Sequence, residues 1–485
     1  MATNSNQPQN GGTAENAVDV VNTKIPPFGI KDKLGYMFGD FGNDFFFILT
    51  SSYLMLYYTN VLGVSAAMVG TLFLVARCID AFTDIGMGRI VDTSKPNPKG
   101  RYRVWIGRMR LPVVIAGVLM FLPWAQNLDE AAKIIFIYCT YILWGSFCYT
   151  AINIPYGSMA AAITANPVER GQLSTFRSVG AALAGLLVGA IVPQIIYVNG
   201  HLSGERFFIT ACVFAVCAFT CYSFCYSWCH ERVIVKEKDK NAEKISAGKM
   251  VKELFSNRAL LSIIVAAIVL LVSLLLSSSM NTYLYNDYFK SPAAMSVASM
   301  LTTACTLVLA PFTTKIIKKF GKKEACSYGL FFAAAVYTLI FFLHLSNPWI
   351  FCVLLFFGNM GSGLFNLMIW AMITDVIDSQ EVISGEREDG TVYGIYSFSR
   401  KLGQALAGGL GGYALALIGY VTSSEGAAVE QTTQVVNSIY NVATLTPAIG
   451  YGIIACIMMW WYPLSKEKIA QNQRLLGLDT TIKDA

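Results

Sequence analysis

The chain is poor in charge and poorer still in histidine. Only 14% of its 485 residues are Asp, Glu, Lys or Arg, against roughly 25% in an ordinary soluble domain. Its three histidines, His201, His230 and His344, fall near the ends of apolar runs. That placement argues against a histidine proton relay through the interior. The twelve cysteines are scattered singly, as in Cys212, Cys217, Cys221 and Cys225. Such spacing suggests neither a metal site nor a disulfide framework, so they read as small buried apolar residues. No Ser/His/Asp or Cys/His set and no phosphate-binding glycine loop is visible, so the sequence offers no enzyme chemistry and no resident cofactor. A cleavable leader is also missing. Residues 1–26 are polar, rich in Asn, Gln and Gly, and read as disordered. The net charge of +6 gathers in particular loops, which excludes nucleic acid as the expected partner.

Apolar sequence is what the chain has in abundance. It is 55% hydrophobic, with a mean hydropathy of +0.51. Twelve apolar runs cover about 34–60, 66–92, 104–125, 132–158, 172–198, 206–228, 258–286, 293–317, 324–345, 348–376, 390–420 and 441–463. A bilayer-spanning helix needs ~20 such residues, and a barrel strand only ~10 with alternation. The expected fold is therefore an all-α membrane protein with twelve transmembrane helices, embedded in a lipid bilayer.

Basic residues set the expected orientation. Lys95, Lys99, Arg101 and Arg103 follow the second run, and Lys315, Lys318, Lys319, Lys322 and Lys323 follow the eighth. The alternate loops carry few. Both termini should face the cytoplasm, with the chain in a plasma membrane, by expectation a bacterial inner one. The two basic loops occupy matching places in two halves, which predicts six-helix bundles of pseudo-symmetric design. The expected divisions are a tail at 1–33, bundles at 34–228 and 258–463, a central cytoplasmic loop at 229–257 and a tail at 464–485. Nothing implies an oligomer. An acidic stretch holds Asp375, Asp378, Glu381, Glu386, Glu388 and Asp389. It reads either as a solvated loop or as a cytoplasmic latch, in which Asp375 and Asp378 meet a basic residue of the other half such as Arg170.

One apolar run carries charge at its middle: Arg77, Asp80 and Asp84. Each ionised group there costs ~3 kcal/mol on insertion scales. At about 100° per residue the three share one helical face, within roughly 60° of each other. That face must look into protein or a wet cavity, with Arg77 as the charge partner. Two carboxylates one turn apart can hold a small cation or share a proton. A structural ion pair is the simpler alternative, and three charges on one face favour a functional site. Tyr149 and Asn153 also lie one turn apart and share a face.

Several stretches together resemble the glycoside–pentoside–hexuronide:cation symporters of the major facilitator superfamily. They are Gly39-Asp40-Phe41-Gly42-Asn43-Asp44, Tyr57-Tyr58-Thr59-Asn60, Gly70 through Arg77 with Asp80 and Asp84, Tyr149-Thr150, Asn153-Ile154-Pro155-Tyr156-Gly157-Ser158, and Asp375-Val376-Ile377-Asp378 with Lys401. The resemblance spans about residues 34–463. It implies symport of a sugar, glycoside or hexuronide with H⁺ or Na⁺. It places the cation at Asp80, Asp84, Thr83 and Thr150. Thr83 stands where the melibiose branch has an asparagine needed for sodium, which favours protons. The resemblance places sugar at Asp44, Tyr149, Asn153, Arg177, Ser397 and Lys401, with Lys401 linking sugar and carboxylates. Gly157 replaces that branch's stacking tryptophan, which argues against melibiose itself. Two rival readings remain: a cation-dependent lipid or lysolipid carrier on the same fold, and a membrane sugar sensor that does not transport.

Overall fold

The computed structural model describes residues 26–94, 100–164, 166–198, 201–233, 257–384, 389–422 and 429–476. The expected disordered tail, for residues 1–25, and most of the central loop lie outside these residues. So do Glu386 and Glu388 of the acidic stretch. The chain is helical almost throughout. Twelve long helices follow in order: α1 (30–60), α2 (Ala66–Thr93), α3 (Arg103–Leu119), α4 (Glu130–Ile163), α5 (Pro167–Ile195), α6 (Gly204–Trp228), α7 (Arg258–Tyr288), α8 (Pro292–Phe320), α9 (Lys322–Leu343), α10 (Pro348–Ser384), α11 (Asp389–Leu417) and α12 (Thr433–Trp461). A short hairpin, Tyr197–Val198 with His201–Leu202, joins α5 to α6.

Ten of the twelve are long and apolar enough to cross a membrane by composition alone. The two that fall short are α1 and α11. The first carries Lys31, Asp32, Lys33, Asp40 and Asp44, and α11 carries Arg400 and Lys401 among many glycines. Charge inside a span is tolerated only where it faces protein or water, so these two helices are the ones to search for a site. The outer surface is apolar: Val216, Phe342 and Trp460 are exposed, as a lipid-facing belt requires.

Two six-helix bundles pack against each other. In the first, α1 lies on α5 and α6, and α3 on α4 and α6; in the second, α7 lies on α11 and α12, and α9 on α10 and α12. The bundles meet along α2–α11 and α5–α8. Small residues allow the first crossing. A Cβ on Gly412 would lie 2.3 Å from the Ala66 carbonyl oxygen and 2.6 Å from Gly70 Cα, so only glycine fits there. A wide π-type turn interrupts α1 at Thr50–Leu54, α4 at Leu143–Tyr149, α7 at Leu284–Tyr288 and α12 at Ile457–Trp461. Such turns often mark functional sites, because they swing side chains off the regular helical face.

The edges differ from the sequence expectation. The first helix begins at Ile30 rather than 34. Asp32 is the reason: its carboxylate forms a buried pair with Arg232 at 2.8 Å and accepts the His230 N–H at 3.2 Å. The expected C-terminal tail holds a further helix, α13 (Lys466–Leu475). Ser465 caps it, and Lys466 Nζ donates to the Lys318 carbonyl at 2.8 Å.

Candidate functional site

The charged face of α2 meets a matching face of α4. Both helices run toward the end of the molecule that bears the chain termini. Ser146 and Thr150 are four apart on α4, as Asp80 and Asp84 are on α2. Ser146 Oγ donates to Asp80 Oδ1 at 2.5 Å, and Thr150 Oγ1 donates to Asp84 Oδ1 at 2.9 Å. The π-type turn of α4 sets this register: Thr150 Oγ1 also lies 3.3 Å from the Gly145 carbonyl, five residues back. The remaining carboxylate oxygens take cations. Arg77 Nη1 lies 3.1 Å from Asp80 Oδ2, and Lys401 of α11 pairs with Asp84 Oδ2. The four charges sum to zero within one group. Lys401 comes from the other bundle, so this pair ties the two halves together near the middle of the membrane.

Thr83 departs from its expected role. Its hydroxyl donates to the Ile79 and Asp80 carbonyls at 3.2 and 3.3 Å. A threonine hydroxyl bonded back onto its own helix is withdrawn from the carboxylate pair. Ser146 takes the place beside Asp80 instead. Ser397 lies on α11 one turn before Lys401, and its side chain falls outside the described residues.

Four of the six expected sugar residues, Asp44, Tyr149, Asn153 and Arg177, lie on α1, α4 and α5. Among the described residues, Asp44 makes no hydrogen bond and no ion pair, although it is largely buried in a span. Arg177 turns to Asp40 instead, one turn before Asp44, at 2.9 Å. Its guanidinium also lies 5.4 Å from the Tyr156 ring. Tyr156 in turn stacks on Tyr36 and donates to the Tyr36 carbonyl at 2.6 Å. Gly39 makes room for that ring, since a Cβ there would stand 2.2 Å from it. Asn153 Oδ1 accepts from Asn43 Nδ2 at 3.3 Å, and Asn43 Oδ1 accepts from Tyr222 at 2.7 Å. The Asn153 amide N–H groups therefore remain for a ligand. Tyr149 stacks on Phe47 with centroids 6.1 Å apart. Open space lies before Gly157, where an added Cβ meets nothing within 4 Å. Sequence reasoning assigned no role to Asp40, Asn43 and Ser146. Asp40 and Asn43 stood inside the quoted Gly39–Asp44 stretch, so a signal for them existed.

Of the expected latch, Asp375 and Arg170 each bond within their own half. Asp375 is held by Lys322 of its own bundle at 2.8 Å, and Arg170 donates to the Thr164 and Ala161 carbonyls of its own half at 2.8 and 3.3 Å. The bundles instead close at the opposite end. There Asn60 bonds Tyr420 at 2.9 Å, Thr59 bonds Tyr283 at 2.9 Å, Thr71 bonds Tyr413 at 3.0 Å, and Tyr197 bonds Asn286 at 2.7 Å. On the terminus-bearing side, Gly86, Gly88, Gly157 and Gly171 face open space. The hydrogen bonds between the bundles thus gather at the end away from the termini.

A charge-balanced polar group between two helical bundles is the arrangement expected of a membrane transporter. The comparisons agree. The chain belongs to the MFS/sugar transport protein family, whose profile matches residues 35–466. An uncharacterized symporter of Bacillus subtilis (strain 168) is 33% identical over 91% of this chain and 94% of its own length. A glucuronide carrier protein homolog of Escherichia coli (strain K12) is 28% identical over 90% of this chain and 93% of its own length. Among solved structures, the inward-open xylose transporter of E. coli matches with a TM-score of 0.62, at 11% identity, covering 92% of this chain and 98% of that one. The protein is a multi-pass membrane transporter of the glycoside–pentoside–hexuronide:cation symporter type and not an enzyme.

Proposed function

We propose that the protein carries a sugar, glycoside or hexuronide into the cell together with a proton, by rocking its two bundles about the midplane site. The pairing of Lys401 with Asp84 carries this reading. The lysine occupies the carboxylate that a coupling cation would take. Protonation of Asp84 releases Lys401 from one bundle to the other, so cation occupancy alters the contact between halves. A change felt by both ligands' sites couples them reciprocally. Protons are favoured over sodium because Thr83 is turned onto its own helix. Both carboxylates already accept a hydroxyl hydrogen, and a hard metal ion would need those oxygens turned to it. Asp44 supplies the free charged acceptor for sugar hydroxyls, and Asn153 supplies donors. Both termini lie on the cytoplasmic face, and the membrane is a bacterial inner membrane. A latch at that face on closure would require Asp375 to leave Lys322.

The test is uptake into proteoliposomes of purified protein, with a panel of labelled glycosides and hexuronides under imposed H⁺ or Na⁺ gradients. Accumulation of at least one sugar, driven by an inward proton gradient and collapsed by a protonophore, is the expected result. Cation-dependent lysolipid movement with no sugar uptake would overturn it in favour of a lipid carrier.

A further inference from the structure

The end of the molecule away from the termini holds a carboxylate that the transport reading leaves unused. Asp287 stands in the π-type turn that ends α7. Asn286 Nδ2 donates to its Oδ1 at 2.9 Å, and the Tyr420 hydroxyl donates to its Oδ2 at 3.1 Å. Both donors are neutral. Lys290, three residues on, pairs with Glu430 at 3.6 Å, and among the described residues no cation pairs with Asp287. Asp287, Asn286 and Tyr420 all belong to the second bundle. The groups that hold their other sides belong to the first. Asn60, at the end of α1, donates from Nδ2 to the Tyr420 oxygen at 2.9 Å. Tyr197, in the hairpin between α5 and α6, donates to Asn286 Oδ1 at 2.7 Å.

Each bond in this network runs toward the carboxylate. A phenol has one hydrogen and a carboxylate has none. With the Asn60 amide filling the Tyr420 oxygen, the Tyr420 hydrogen goes to Asp287, the charged acceptor within reach. Two chains of donors, Asn60 to Tyr420 and Tyr197 to Asn286, thus begin in the first bundle and end on one charge of the second. Such chains polarise one another, which strengthens every bond in them. An amide in place of the carboxylate would turn an N–H group onto one of the two donors, because both oxygens of Asp287 face a hydrogen. We propose that Asp287 is a positioning residue of the transport cycle: its charge orients Tyr420 and Asn286 so that they hold the first bundle, and removing that charge frees this end to open. This rests on the rocking of the two bundles proposed above, and not on which solute or ion is carried.

The test is the distance between spin labels at Asp129 and Ser346, one on each bundle and both exposed at this end. It is measured on the purified full-length protein in nanodiscs, with the exposed Cys78, Cys139 and Cys456 changed to serine. Gly412→Leu, which overpacks the α2–α11 crossing at the same end, is the reference for a forced opening. Asp287→Asn is expected to raise the ratio of long to short distances by about tenfold or more. Tyr420→Phe removes the linking hydroxyl without touching Asp287. It is expected to lengthen the distance on its own, and it decides the matter if the first variant fails to fold. Because both act through one bond, Asp287→Asn should add less in the Tyr420→Phe background than it does alone. A ratio unchanged by Asp287→Asn while Gly412→Leu raises it, or effects of the two variants that simply add, would overturn the role of Asp287 and leave the rocking motion standing. A distance that none of the variants changes would strike the rocking motion itself, and the role of Asp287 with it.

Discussion

Among the described residues Asp44 is a carboxylate inside a span with no ion-pair partner, while Asp40, one turn back, pairs with Arg177. An unpaired charge in such a place is costly, and we propose that a sugar's hydroxyls are its partner. Asp44→Ala is predicted to lower sugar affinity by at least ten- to hundredfold, since a charge-assisted hydrogen bond is worth about 1.5–3 kcal/mol. Isothermal titration of the purified variant, with monodispersity as the folding control, measures it; unchanged affinity would remove Asp44 from the site. At this scale the sequence revealed what lies on one helix. The 77–84 face and the Tyr149/Asn153 pair followed from helical spacing alone. The partners across helices did not. Ser146 was invisible because nothing local ties it to Asp80, 66 residues away. Arg177 was found by resemblance, but its choice of Asp40 over Asp44 depends on how α1 and α5 cross. The turn of the Thr83 hydroxyl was not legible, because residue type does not reveal whether a hydroxyl points outward or back to its own carbonyls.

Helix α2 carries Asp80 and Asp84 near its middle and, at Gly70, lies against α11 with glycine-sized clearance. The runs themselves were legible from apolarity, as was the two-bundle plan from the matched basic loops. Their interruptions were not. The π-type turns in α1, α4 and α7 leave no mark in composition, yet the one in α4 sets Ser146 and Thr150 against Asp80 and Asp84. The Lys322–Asp375 pair was not legible either, because it depends on Lys322 beginning α9 within reach of Asp375 on the adjacent helix. Gly412→Leu should pry α2 from α11 at the end away from the termini, because its Cβ would stand 2.3 Å from the Ala66 carbonyl. Overpacking of this kind costs roughly 1–3 kcal/mol, enough to shift a balanced two-state equilibrium by about five- to hundredfold. Spin labels at Ser65 and Val421 should report a longer distance in the variant than in the parent protein. An unchanged distance distribution would show that this crossing does not hold that end together.

The whole molecule is a pair of six-helix bundles joined along α2–α11 and α5–α8 and by the Lys401–Asp84 pair. Hydrogen bonds from Asn60, Thr59, Thr71 and Tyr197 to the second bundle hold them together at the end away from the termini. In the mechanism we propose, the charge on the α2 carboxylates drives the exchange between ends. The most direct test is sugar accumulation by proteoliposomes containing wild type or Asp84→Asn, with external pH and sodium recorded separately. Wild type is predicted to concentrate sugar, with alkalinisation of the medium on sugar addition and no need for sodium. Asp84→Asn, whose amide mimics a protonated carboxyl in shape, is predicted to bind sugar and exchange it down its own gradient without concentrating it. Sodium-dependent uptake with no pH change would overturn the choice of proton and keep the carboxylate site. Concentrative uptake persisting in Asp84→Asn would contradict the site itself.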